Sequence, residues 1–136
     1  MLDTNTLSYI VRNRSVAARA HLEAAQEIAP VYVSVVTEGE VWYGLAKRPA
    51  AHQVAYFMQA ALAGLNVLPW TSQEAAVYGM LRADNERAGI AVGGLDMLIA
   101  AHALAVNAVL VTSDAAIARL VGGLVTVNWA DDVVSK

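Results

Sequence analysis

The chain has 136 residues, 57% of them hydrophobic, a mean hydropathy of +0.46 and a formal net charge of −3. That length fits one domain, residues 1–136, with a sizeable core and no room for a second, while the lack of cysteine excludes disulfides, thiolate catalysis and zinc–thiolate sites. The net charge excludes a protein that holds nucleic acid by bulk basicity, though not one with a local basic groove.

Apolar runs all stop short of the roughly 18 residues that a membrane span needs, and the start lacks the basic stretch of a secretory signal. A soluble, cytoplasmic chain without a membrane partner is expected. Met1-Leu2 reads as a very short strand that turns at Asp3-Thr4-Asn5 into a helix reaching about Val11. Ser15 caps a helix from Val16 to about Glu27, and Pro30 leads into Val31–Val36, a β-branched run that predicts a strand buried on both faces. Thr37 and Glu40 have capping-box spacing and start a helix to about Lys47, which Pro49 breaks. Val54, Phe57, Met58, Ala61 and Leu62 recur at helical spacing until Gly64. Asn66–Leu68 is a weak strand. Thr71 and Glu74 form a second capping box for a helix to Ala88, closed by Gly89 and followed by a glycine-bearing loop at Ile90–Gly94. Asp96 to Val106 is apolar almost all round, as in a helix buried on most of its circumference, and Asn107 ends it. Val109–Val111 then reads as a strand running into Thr112-Ser113-Asp114, an N-cap, and Leu124–Val127 supplies the last strand.

Strands and helices alternate with gaps too long for hairpins, which predicts an α/β fold with a parallel sheet sandwiched by helices. Ligands in such sheets sit outside the carboxyl ends of the strands. Asp3, Glu40 and Asp114 follow strands at that edge. A helix of about 11 residues climbs roughly 16 Å and a strand of about 4 residues returns roughly 13 Å, so Asp96 lies at the same edge as Asp114. Any one of these acids is explained as a helix cap. Four together repel one another and call for a cation, and an all-oxygen donor set suits Mg²⁺ or Mn²⁺, which activates water and stabilises charge on a phosphoryl group.

The residues by themselves leave three functions open: a metal-dependent nuclease, a phosphotransfer receiver-like domain, and a non-catalytic module whose acids receive a partner's Arg or Lys. A receiver needs a lysine after its last strand, and the sequence offers only Lys136 there. Arg82 and Arg87, on the helix before the acidic loop, either lean toward a phosphate backbone or belong to a solvated helix face. His102 lies inside an apolar helix and reads as a core histidine, while His21 and His52 lack ligand spacing. Trp42, Trp70 and Trp129 read as core or interface. Gly93-Gly94 lacks the Lys-Ser/Thr of a phosphate-binding loop.

Four motifs occur in order along nearly the whole chain: Leu2-Asp3-Thr4-Asn5, Ser34-x-x-Thr37-x-x-Glu40-x-x-Tyr43-Gly44, Asp96-x-Leu98-Ile99-Ala100-Ala101-His102-Ala103-Leu104 and Leu110-Val111-Thr112-x-Asp114. Together they resemble the PIN-domain ribonucleases, in particular the VapC-type toxins of bacterial toxin–antitoxin pairs. The resemblance implies a PIN-like three-layer α/β/α fold, a Mg²⁺ or Mn²⁺ pocket and endonucleolytic cleavage of RNA. It implies Asp3, Glu40, Asp96 and Asp114 as the catalytic, metal-binding acids, with Asn5 and Thr112 as polar support. A homodimer and a cognate antitoxin are implied as well, and the apolar stripes of helices 16–27 and 51–63 offer a groove for a partner helix. The sequence departs from the family pattern in its short first strand, in Ala115 and Ala116 where polar residues are common, and in Ile117 at a position often aromatic.

Overall fold

The computed structural model describes residues 1–133. Its elements in chain order are α1 (Thr4–Val11), α2 (Val16–Ile28), β1 (Tyr32–Ser34), α3 (Val35–Lys47), α4 (His52–Ala63), β2 (Asn66–Leu68), α5 (Ser72–Arg87), α6 (Gly94–Ala105), β3 (Leu110–Val111), α7 (Ala115–Ala118) and β4 (Thr126–Val127). β1 pairs in parallel with β2, Tyr32 opposite Asn66, and β3 pairs in parallel with β4, Leu110 opposite Thr126. Leu2 joins the two pairs, forming parallel bridges to Val33 on one side and Val111 on the other. The sheet order is therefore β2, β1, Leu2, β3, β4. Leu2 N–H donates to Tyr32 O at 2.9 Å, Asp3 N–H to Val111 O at 3.0 Å, and Val111 N–H to Met1 O at 2.8 Å.

Apolar residues on both faces of this sheet hold a helical layer each. One core gathers Leu2, Leu7, Ile10, Leu22, Val33 and Leu62 under α1, α2 and α4. The other gathers Met1, Leu81, Met97, Ile99, Leu110 and Ile117 under α5, α6 and α7. Each fully buried Leu or Ile contributes roughly 1.5–3 kcal/mol. The result is the expected parallel three-layer α/β/α arrangement. Among the described residues, no helix is long and apolar enough to cross a membrane.

The last strand is shorter than expected, Thr126–Val127 in place of Leu124–Val127, and two other boundary differences bear on the acids. The strand expected over Val31–Val36 stops at Ser34, whose hydroxyl accepts from Val36 N–H at 3.0 Å and so caps α3. Val35 and Val36 accordingly sit in the first helical turn, Thr37 is buried, and Glu40 moves from the first turn to the second. The Thr37–Glu40 capping box does not form. The helix expected to begin at Asp96 begins instead at Gly94, with Gly93 as its cap residue, so Asp96 is the third residue of α6 and not its cap. The Thr71–Glu74 capping box forms as expected. Asn107 ends α6 with φ 56°, in the left-handed region that short polar side chains tolerate.

Candidate active site

The central position of Leu2 places Asp3 at the carboxyl edge of the sheet. Asp3 is 4% exposed, and its Oδ1 accepts from Thr6 N–H at 2.8 Å, capping α1. At the next strand, Thr112 N–H is tied to Val127 O at 2.9 Å, and the Thr112 hydroxyl accepts from Asp114 N–H at 3.1 Å. Asp114 Oδ1 in turn accepts from Ala116 N–H at 2.8 Å, capping α7. On the other side of Asp3, the Thr4 hydroxyl donates to Glu40 Oε1 at 2.6 Å and lies 3.3 Å from the Thr37 hydroxyl. Capping thus accounts for where Asp3 and Asp114 point, and a contact between two helices accounts for Glu40.

Asp96 links the set. Its carboxyl is pushed above the usual carboxylate range, first by burial and then by the negative charges of Asp114, Glu40 and Asp3. Four acids on four different elements therefore act on one region. Among the described residues, Asp96 accepts no hydrogen bond that would offset this repulsion. No three His, Cys, Asp or Glu side chains among the described residues are drawn together as a finished metal cage. By charge and donor type the carboxylates fit a hard divalent cation, because each of Asp3, Glu40 and Asp114 commits one oxygen to the protein and retains another.

The supporting residues divide. Thr112 is 4% exposed and positions Asp114 through its hydroxyl. Asn5 is exposed on the first turn of α1, two residues after Asp3. Arg82 and Arg87 are committed elsewhere: Arg82 pairs with Glu86 at 3.0 Å and bonds the Tyr78 hydroxyl at 2.9 Å, and Arg87 pairs with Asp84 at 2.9 Å, all within exposed parts of α5. Arg82 does line a shallow groove with Gly94 and Met97 at the start of α6, and Arg87 does not.

The sequence reading missed a second group of cations. Arg12, Arg14, Lys47 and Arg48 line one groove with Ser8 and Gly44, beside the apolar groove between α1, α3 and α4 that runs up to Thr4 and Glu40. Arg12-x-Arg14 and Lys47-Arg48 were its available signal, each at the end of a helix.

His102 is a core residue, as expected, but only half satisfied. Its Nδ1 lies 2.7 Å from Ser34 Oγ, and its Nε2 has no hydrogen bond, with Glu74 Oε1 at 3.7 Å. Burial lowers the His102 pKa, and the Glu74 charge opposes this. Serine, histidine and glutamate in a row have the residue types of a nucleophilic triad. Ser34 is fully buried and already caps α3, so no substrate reaches it.

The parallel α/β/α fold is shared with proteins of known family. The PIN domain family model matches residues 1–123, and this chain belongs to that family. Its relatives are VapC ribonucleases. Ribonuclease VapC2 of Rickettsia felis is 30% identical over 129 residues, covering 95% of this chain and 96% of the relative. The tRNA(fMet)-specific endonuclease VapC of Shigella flexneri is 29% identical over 130 residues, covering 96% and 97%. Among solved structures, VapBC2 from Rickettsia felis bound to a promoter DNA fragment matches with a TM-score of 0.88 at 29% identity, over 95% of this chain and 97% of the other. DNA-bound VapBC from Salmonella typhimurium matches with a TM-score of 0.86 at 29% identity, over 95% and 96%. Family membership sets the receiver-like reading aside.

Proposed function

We propose that this chain is an endoribonuclease toxin of a toxin–antitoxin pair, acting in the cytoplasm as one domain, and that it cuts RNA phosphodiesters at Asp3, Glu40, Asp96 and Asp114 with Mg²⁺ or Mn²⁺. The observations that support this most directly are the PIN-family match over residues 1–123 and the gathering of Asp3, Glu40 and Asp114 about Asp96. When bound, such a cation supplies positive charge to a phosphodiester and makes water more acidic. The protein's own part is positional. Asp3 and Asp114 are held by the backbone N–H groups that they cap, Glu40 is held by Thr4, and Thr112 fixes the turn that carries Asp114. Asp96, pushed toward its protonated form first by burial and then by the charges of Asp114, Glu40 and Asp3, is the group whose charged form a cation held there would favour. Asn5 offers an amide at the exposed rim.

The solved relatives are toxin–antitoxin assemblies, and a cognate antitoxin is proposed here too. Leu22, Phe57, Ala61 and Leu65 line a groove between α2 and α4, in keeping with the expected seat for an apolar helix. Exposed Tyr56 on α4 supports a homodimer, in which it would be covered. The deciding experiment is incubation of the purified chain with mixed RNA in Mn²⁺ and in EDTA, beside Asp114→Asn. Cleavage in Mn²⁺ alone, lost in the variant, is expected; cleavage that persists in EDTA or in Asp114→Asn overturns the four-acid site.

A further inference from the structure

The acids repel the phosphate backbone that they are meant to cut, and the chain as a whole carries a net charge of −3. Attraction for RNA has to come from a local arrangement of cations. Of the nine Lys and Arg residues, Arg82 and Arg87 are occupied by Glu86 and Asp84. Arg12, Arg14, Lys47 and Arg48 share one groove, and among the described residues none of them forms an ion pair.

The groove is built by register. α1 and α3 lie side by side with Thr4 against Glu40. One helical step of four residues along each brings Ser8 and Gly44 to the same groove, and another step brings Arg12 and Arg48. Ser8 and Gly44 are small, and a Cβ built at Gly44 would meet no atom within 4 Å, so the floor between acids and cations is open. Arg14 and Lys47 widen the basic end, and Lys47 Nζ stands 4.8 Å from the centre of the Tyr43 ring, itself 64% exposed. An exposed aromatic beside a row of cations is the pairing that holds single-stranded nucleic acid.

We propose that Arg12, Arg14, Lys47 and Arg48 form a phosphate track that positions single-stranded RNA on one side of the acidic pocket, with Tyr43 as a stacking face for a base. This rests on the ribonuclease function proposed above. Eight helical residues from Thr4 to Arg12 span roughly 12 Å. The track therefore meets phosphates within a few nucleotides of the bond that is cut. These are positioning residues: they fix where along the strand the acids act and do not touch the reacting atoms.

The test uses the full chain in two assays. Poly-uridine affinity across salt is measured in an Asp114→Asn background; four phosphate contacts give a log–log slope of about −2.8, near 50-fold weaker binding between 50 and 200 mM salt. Adding Arg12→Gln and Arg48→Gln should bring the slope to about −1.4, near sevenfold over the same range. With Asp114 intact, the same two substitutions should raise KM and leave kcat unchanged, as removal of uniform binding does. An unchanged slope overturns the track, and so does a slope that falls instead with Arg82→Gln and Arg87→Gln. Unchanged poly-uridine binding with lost binding of polyglutamate would assign the groove to an acidic protein and overturn it as well. Failure of the ribonuclease function is separately visible, as a wild-type chain that cuts no RNA.

Discussion

Thr4 Oγ1 donates a 2.6 Å hydrogen bond to Glu40 Oε1, and this bond fixes the first turn of α1 to the second turn of α3. It holds one acid of the pocket by its distal end and sets the register that carries both helices away from the acids together. Thr4→Val keeps the side-chain shape and removes the donor. A hydrogen bond to a charged group contributes about 1.5–3 kcal/mol, and the partial exposure of this pair puts the loss at the low end. Melting should show that loss together with reduced RNA cleavage, and Thr4→Ser should restore both. Unchanged cleavage by Thr4→Val would show that Glu40 needs no such holder.

Asp96→Asn and Asp114→Asn each remove one charge from a repelling set; Asp96 caps no helix, and at 114 Asn caps α7 about as well as Asp. In EDTA both variants should melt higher than the wild type. The sign at Asp96 follows from its raised pKa: the native state holds the proton more tightly than the unfolded chain, so the Asp96 contribution to metal-free stability is fully present in acid and is lost as pH rises through that raised value. Asp96→Asn should abolish that decline. A ligand at 100 times its Kd stabilises by about 2.7 kcal/mol, so Mn²⁺ should raise the wild-type melting temperature visibly and the variants' much less. Equal Mn²⁺ shifts in all three proteins would contradict the pocket.

His102 makes the opposite pH prediction. Ser34, Glu74 and the edge-on ring of Trp70 surround it, and burial lowers its pKa below the ordinary 6.5. The unfolded chain then binds a proton that the native state refuses, so stability is fully present above about pH 6.5 and is lost as pH falls below it toward the lowered native value. Melting of wild type and His102→Gln, followed between about pH 7 and 5, should show a steeper decline for the wild type. Parallel curves would mean that another group titrates there.

Gly122 has φ +125°, and a Cβ placed on it would stand 2.9 Å from Leu81 Cδ1. Asn85 holds the neighbouring residue, its Oδ1 accepting from Val121 N–H and its Nδ2 donating to Val121 O, both at 2.9 Å. The loop therefore cannot turn aside to make room. Gly122→Ala should destabilise by about 1–3 kcal/mol, read as a lowered melting temperature. A melting temperature equal to the wild type's would mean that Leu81 repacks freely.

The acids were legible in the sequence because capping chemistry and pocket chemistry use the same residue at the same place. Asp3 and Asp114 were correctly placed as caps by their neighbours alone. Glu40 and Asp96 were placed at the correct edge for partly wrong local reasons. Thr37 and Glu40 have the spacing of a capping box, but Ser34 caps the helix three residues earlier, and β-branched Val35 and Val36 read as strand although they sit in a helical turn. The basic groove was illegible for a different reason. Cations near helix C-termini are ordinary partners of the helix dipole, so Arg12 and Lys47-Arg48 carry no separate mark. Only the side-by-side register of α1 and α3 turns two unremarkable helix ends into one surface.

The sheet is closed by Leu2, the earliest residue of its middle, which must pair with Val111 far down the chain. A chain emerging from the ribosome can form α1, α2 and β1 while the partner on Leu2's other side is still unmade. Asp3 and Asp114 come to the same edge of the sheet only after that late strand arrives. Synthesis interrupted anywhere before β3 thus leaves a fragment with half a sheet and an incomplete set of acids. A ribonuclease that depends on these four acids, as proposed above, would in this way stay inert until nearly all of it has been translated.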